Sequence, residues 1–411
     1  MPIAAAPAIE AVRAWFPALR SGFAFMDNAG GSQVPVSVAE AVRDYMVSSF
    51  VQVGASYPAS RRATETVAGA HAMIETMFGG EGLGKAILGP STSALCRMLS
   101  DCYAEILGPG DEVVVAESGH EANVFPWVSL GRRGVTVKMW EADPESGKSR
   151  IGDLAGLLTE KTRILAFPHV SNILGAIEDV KGAADLARRV GARVVLDSVA
   201  FAPHHALDVA EWGVDYCVFS CYKVFGPHMA ALWGSNEALA EITGRNHPFI
   251  PKDYLPGKFE LGGVLHEGCA GLLALRGYFA FLAGASDGGE GFNREILLDA
   301  FSAAEALEAP LTARILGFLN SKPGVRIIGP AEADGRRVGT ISFLHEGLKP
   351  AEIVEETDRH GIGIRHGNFY SWRLMERLGI PPQQGVARIS LAHYNSAEDV
   401  ERLIAALNPI L

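Results

Sequence analysis

The sequence predicts an α/β protein: a large domain with a mainly parallel sheet flanked by helices, plus a smaller C-terminal α+β domain. Three observations predict it. Through the middle of the chain, short β-branched apolar runs alternate with amphipathic helical runs across short loops. Such alternation requires right-handed crossovers and parallel strands. Isolated polar residues, Asp197 and Lys223 among them, stand at or just past the ends of those runs, where ligands sit on open α/β sheets. The composition then shifts at 285–291 (Ala-Ser-Asp-Gly-Gly-Glu-Gly), before a long helical stretch and two further strand patterns. The large domain is therefore expected over 21–285, and the smaller one over 1–20 and 286–411.

The elements follow in order. Pro2 to Ile9 is apolar with no basic segment before it, and Ile9, Val12, Trp15, Phe16 and Leu19 have helical spacing, which predicts a docked amphipathic helix and not a signal peptide. Ile87-Leu88-Gly89 leads through Pro90 and Ser91-Thr92-Ser93 into a helix with the stripe Ala94, Leu95, Met98, Leu99, Cys102 and Ile106, stopped by Gly108-Pro109-Gly110. Val113 to Ala116 is the next strand, and Ile164 to Val170 another. A helix is predicted over 179–190, closed by Gly191, then a strand from Arg193 to Leu196. A short helix over 208–212 ends at Gly213, and Tyr216 to Phe219 is a further strand. Val338 to Phe343 and Val386 to Leu391 are the C-terminal strands.

Composition excludes several functions. With 36 Lys and Arg against 47 Asp and Glu, the net charge of −11 argues against a nucleic-acid surface. Five scattered cysteines without a C-x-x-C pair argue against a disulfide framework or a zinc ribbon and fit a reducing cytoplasm. No apolar run is long enough to span a bilayer.

Several residues carry candidate chemistry. Hydroxyls at Ser91-Thr92-Ser93, opening a helix, form either an anion site or a plain N-cap. Asp197 ends a buried strand and can pair with a pyridinium nitrogen, or cap a loop. Lys223 is flanked by Tyr222 and Val224-Phe225; burial lowers an amine's pKa as imine formation requires, and a surface lysine is the alternative. An amine and a carboxylate at one sheet edge are the minimum equipment for pyridoxal phosphate chemistry. His120 can stack on a cofactor ring or move protons, or serve only its loop. It begins no H-E-x-x-H motif, since Val124 stands at the second ligand position, and His204-His205 lack a third ligand, so no metal site is expected. Arg388, in an alternating strand, can clamp a carboxylate or face solvent. A nicotinamide site lacks its G-x-G-x-x-G fingerprint. Gly147-Lys148-Ser149 lacks the P-loop glycine, with Ala142 in its place, and no G-x-S-x-G elbow exists.

Together these segments resemble the class V aminotransferase family of fold-type I pyridoxal phosphate enzymes, and within it the cysteine desulfurase branch. Met26-Asp-Asn-Ala-Gly-Gly-Ser-Gln-Val-Pro35 resembles the family's opening turn. His120-Glu-Ala-Asn-Val-Phe-Pro-Trp127, His169-Val-Ser-Asn-Ile-Leu-Gly175, Phe219-Ser-Cys-Tyr-Lys-Val-Phe-Gly-Pro227 and Arg388-Ile-Ser-Leu-Ala-His-Tyr-Asn395 resemble its later motifs, in the right order. The resemblance implies that Lys223 forms the Schiff base, His120 stacks on the ring, and Asp197 holds the ring nitrogen. It also implies that Asn172 bonds the phenolic oxygen, that Ser91, Thr92 and Ser220 hold the phosphate, and that Arg388, with Asn28, holds an amino-acid substrate. A homodimer is implied as well. The departures are equally informative. In the segment Arg365 to Trp372, Tyr370 stands where the desulfurases carry their sulfur-accepting cysteine. Tyr222 and Ala200 replace a histidine and a glutamine, and Gly263 replaces a threonine that reaches the neighbouring subunit's phosphate. Arg61-Arg62 replace a His-Thr pair near the substrate, and either favour an anionic side chain or are simply exposed. The expected function is elimination by a C–S lyase rather than persulfide-forming desulfuration, with Tyr370 as an acid on the far face of the cofactor. Transamination, epimerisation and a non-catalytic cofactor-binding relative are the alternatives.

Overall fold

The computed structural model describes residues 6–285 and 291–411. Pro2 to Ala5, and the expected domain boundary where it falls within 286–290, lie outside the described residues. The first strand, β1 (Ala24–Phe25), is only two residues long. Seven strands then build the large sheet: β2 (Gly84–Gly89), β3 (Glu112–Ala116), β4 (Thr136–Trp140), β5 (Thr162–Pro168), β6 (Arg193–Asp197), β7 (Tyr216–Ser220) and β8 (Ala230–Ser235). Their order is β2-β8-β7-β6-β5-β3-β4. β8 runs antiparallel to both its neighbours, and the other pairs are parallel. The sheet is covered on both faces, which is why its strands read as unbroken apolar runs. Along β7, Cys217 and Phe219 join a core with Phe78, Trp233 and Phe279, while Tyr216 and Val218 join one with Tyr103, Trp127 and Leu232.

Local chemistry sets the element ends. Asp179 caps the helix Val180–Arg189 by accepting the Gly182 N–H at 2.9 Å, and Gly191 follows at φ 76°. Asp208 caps Val209–Trp212 in the same way, and Gly213 ends it at φ 67°. β5 stops at Pro168, two residues short of the predicted end, because proline has no N–H to continue the ladder. The helix after Ser91 ends at Tyr103, leaving Ile106 outside it and 52% exposed. The predicted N-terminal helix is split into an α-helix Ile9–Ala14 and a 3-10 turn Pro17–Ser21, since Pro17 cannot continue the α-helical bonding.

The smaller sheet contains β9 (Val325–Ile328), β10 (Thr340–His345), β12 (Arg365–Gly367) and β13 (Val386–Ser390), all antiparallel, while β11 (Ile362–Gly363) pairs in parallel with β1. β10 begins two residues later than predicted. The Val338 N–H instead donates to Gly175 O at 2.9 Å, and the Gly339 N–H to Glu308 Oε1 at 3.1 Å. The smaller sheet's core gathers Ile315, Leu319, Ile341, Phe343, Ile389 and Leu403, together with Ala24 and Met26 from the segment assigned by sequence to the large domain. Residues 6–20 divide the other way. Val12, Phe16 and Leu19 pack into the large sheet's core, whereas Arg13 pairs with Asp399 at 2.8 Å.

Gly175 is a junction between the two parts. It lies at φ 66°, and a Cβ there would fall 2.3 Å from Thr340 O. Gly175→Ala is therefore expected to cost at least ~2 kcal/mol of stability, read as a lowered urea midpoint with an unchanged slope.

Candidate active site

The loops that leave β2, β3, β5, β6 and β7 meet in one cavity at the carboxyl edge of the sheet. The connections bring Ser91, Thr92, His120, Asn172, Asp197, Ser220 and Lys223 to its wall, so seven residues scattered over 133 positions of sequence, from 91 to 223, line one space.

Lys223 ends a 3-10 turn, Cys221–Lys223, directly after β7. Phe225 takes a left-handed φ of 62°, and its N–H donates to Ser32 Oγ at 2.9 Å, which fixes the turn that presents the lysine. Burial lowers the Lys223 amine to about 8; the Arg388 charge adds to this and Asp197 opposes it. Asp197 is buried at the end of β6 and accepts the Val199 N–H at 3.0 Å. Burial raises its carboxyl to about 6, against the pull of that amide and of Lys223. His120 accepts the Ala122 N–H at Nδ1, 3.0 Å away. Burial, with the Lys223 and Arg388 charges, lowers it to about 4, so the ring is neutral at pH 7. Thr92 Oγ1 and Ser220 Oγ, both buried on the cavity wall, lie 2.8 Å apart. Ser91 Oγ accepts the Ala94 N–H at 3.2 Å, so its side chain is an N-cap on a helix that begins at the cavity.

These residues fit pyridoxal phosphate. A buried carboxylate held by a single amide lacks a cationic N–H partner, which a pyridinium ring nitrogen supplies. Hydroxyls and the amides of a helix start suit a phosphate, and a neutral imidazole suits an aromatic face.

Other expected residues lie elsewhere. Arg388 does not line the cavity. It is 2% exposed, donates to Asp27 Oδ1 at 3.1 Å and Asn172 O at 3.3 Å, and lies under the Phe369 ring. Asn172 does line the cavity, but its amide also serves the segment 368–371: Nδ2 donates to Phe369 O at 2.9 Å, and Oδ1 accepts from Ser371 Oγ at 2.8 Å. Asn28 is not brought to the cavity. It is buried, donates to Phe25 O, Ser390 O and Asn395 Oδ1, and accepts from the Tyr394 hydroxyl, so its amide holds β1 to β13. Arg61 is exposed on the helix Pro58–Phe78 and donates to Ser56 O. Tyr370 is 72% exposed at the mouth, its ring 5.3 Å from that of His120. Tyr222 stacks on His228 at 4.6 Å, and Ala200 lines the wall. Gly263 lies at φ 91° on an outer groove with Leu261 and Leu265. Asp27 and Phe369 were not singled out from the sequence. The one available signal for Asp27 was an acid beside Asn28 in the opening turn; for Phe369 there was none. Among the described residues no group of His, Cys, Asp and Glu is placed to hold a metal ion, and no helix is long and apolar enough to cross a membrane.

The model of the class-V aminotransferase family matches residues 24–262 and 297–403. An aminotransferase-like protein of Gibberella zeae is 37% identical over 413 residues, covering 98% of both chains. A cysteine desulfurase of Pectobacterium carotovorum is 29% identical, again over 98% of each. Among solved structures, the cysteine desulfurase of Thermococcus onnurineus superposes with a TM-score of 0.86 at 25% identity over 99% of both chains.

The raised Asp197 carboxyl has a consequence for stability. The cofactor-free fold prefers the neutral acid, so the penalty is absent below pH 4, grows up to about pH 6 and is constant above it. Asp197→Asn is expected to stabilise the cofactor-free protein by about 2–3 kcal/mol at pH 8 and by nothing at pH 3.5, while weakening cofactor binding. Urea titrations at the two pH values check the first expectation, and absorbance titration with the cofactor the second.

Proposed function

The chain belongs to the class-V aminotransferase family, and on that premise we propose that it cleaves the bond between sulfur and the β-carbon of a sulfur-bearing amino acid by elimination. It is a pyridoxal phosphate-dependent enzyme, as its family is. Bound in the cavity, the cofactor supplies an aldehyde that links to amines and a ring that draws electrons away from Cα.

The chain's own groups do the rest. Asp197, kept in its charged form by a cationic partner, would hold the ring nitrogen. Thr92, Ser220 and the amides of the helix beginning at Thr92 would hold the phosphate. His120, neutral, would lie against the ring. Lys223, with an amine near 8, is poised to take and return a proton at the substrate's Cα near neutral pH. As that proton leaves, the bond between Cβ and sulfur breaks, its electron pair goes to sulfur, and sulfur takes a proton. Hydrolysis releases the carbon skeleton as pyruvate and ammonium. Nothing is oxidised or reduced overall. The Tyr370 hydroxyl at the mouth is our candidate donor of the sulfur's proton.

One observation carries elimination over persulfide formation. None of the five cysteines lines the cavity, and all are buried. Burial pushes the thiols up, to about 12 at Cys102, Cys217 and Cys269. A thiol that must ionise to attack sulfur is not offered at this site. Transamination is the second reading, favoured by the aminotransferase-like relative at 37% identity. A homodimer in the cytoplasm accompanies both readings. The exposed Met46, Val47, Phe50, Leu261 and Leu265 support the dimer, and the free buried cysteines a reducing compartment.

Incubated with the cofactor and S-alkylcysteines, the protein is expected to release thiol, pyruvate and ammonium in equal amounts, and no protein persulfide from cysteine. A 2-oxo acid that keeps its sulfur, formed without thiol, would instead establish transamination. Lys223→Ala is expected to slow turnover by at least ~10³-fold and Tyr370→Phe by ~10²-fold; an unchanged rate for the latter removes Tyr370 from the proton path.

A further inference from the structure

The segment 368–371 has an unusual backbone. Phe369 and Tyr370 lie at φ 51° and 60°, left-handed values that bulky side chains rarely adopt. Hydrogen bonds hold them there. The Tyr370 N–H donates to Asn368 Oδ1 at 2.9 Å, and the Glu121 N–H to Tyr370 O at 2.8 Å. The Asn172 amide donates to Phe369 O and accepts from Ser371 Oγ. The product of this strain is the position of one ring. The Phe369 centroid lies 3.6 Å from Arg388 Cζ. With the ring on the guanidinium face and Asp27 and Asn172 O on its Nη atoms, Arg388 is buried and does not line the cavity, while its buried Nε has no hydrogen-bond partner.

We propose that Phe369 is a specificity-determining residue that controls access to Arg388 and admits only ligands whose carboxylate displaces its ring. This rests on the reading of Arg388 as the clamp for a substrate carboxylate. A carboxylate can do it because a charge-assisted pair with a guanidinium, including its unpartnered Nε–H, is stronger than the ring contact it replaces. An amine without a carboxylate gains nothing by opening the segment. The covered and uncovered states are then a two-state equilibrium, and the ligand's apparent affinity is reduced by the fraction of protein that is covered. Asn172 links this equilibrium to the cavity. It lines the cavity wall, and its amide and carbonyl touch the segment and the clamp.

The test compares two ligands on the cofactor-loaded protein, alanine and ethylamine, which differ by the carboxylate. Binding is read from the change in the cofactor's visible absorbance. Phe369→Leu removes the π face and is expected to tighten alanine about tenfold while leaving ethylamine unmoved; Phe369→Tyr keeps the face and is expected to behave as the parent. Equal shifts for both ligands, or none for alanine, overturn the proposal. If neither ligand alters the spectrum of the parent protein, the amino-acid reading itself has failed, and the cover is judged without a substrate. Phenylglyoxal labelling of Arg388, followed by peptide mass spectrometry, is then expected to run about tenfold faster in Phe369→Leu than in the parent or Phe369→Tyr. Equal labelling rates reject the role of the ring.

Discussion

Burial of an amine and a carboxylate at the carboxyl edge of one parallel sheet is the constraint on which the rest of the molecule depends. Water would return Lys223 and Asp197 to ordinary pKa values. Desolvation holds the amine at about 8 and the acid at about 6. That state requires a sheet covered on both faces, so that strand ends rather than strand faces meet the cavity. It requires loops short enough to converge, and turns rigid enough to hold a charged group where solvation would pull it outward. The left-handed Phe225 beside Lys223, tied to Ser32, is one such turn.

The same constraint explains the unfinished valences of the site. Asp197 is held by one amide, and Arg388 keeps a buried Nε without a partner. Buried polar groups in proteins are normally satisfied, and leaving them otherwise costs stability. These two lie in and beside the cavity, where a charged cofactor and a charged substrate would complete them. Stability is thus given up at the positions where such binding would restore it. Asn28 shows the opposite outcome. It stands in a motif that resembles a substrate-binding turn, but four neighbours satisfy its amide, and its role is to hold β1 against β13.

How much of this was legible from the sequence can be judged element by element. The alternation from Ile164 to Ser220 was readable because each strand is apolar on both faces and each helix is stopped by glycine or capped by aspartate, all local effects. The placing of Asp197 and Lys223 at one edge followed from the same alternation. What could not be read were contacts between residues far apart in sequence. β8 enters the sheet antiparallel between β2 and β7. Residues 6–20 pack into the large core while Ala24 and Met26 leave it. Phe369 covers an arginine nineteen positions away, reached through the β12–β13 ladder. Nothing in the local pattern of an aromatic residue specifies which cation it will stack on.

By itself, then, the sequence determined the candidate chemistry on offer: an amine and a carboxylate at strand ends, a histidine in a loop, hydroxyls at the start of a helix and no cysteine between Arg365 and Trp372. Residue types and their order suffice for that, because reactivity belongs to side chains. The tertiary structure alone decided which of these groups are usable. Solvation, partners and access are properties of the packed neighbourhood, and they kept Lys223 open to the cavity, spent Asn28 on the fold and set a phenylalanine over Arg388.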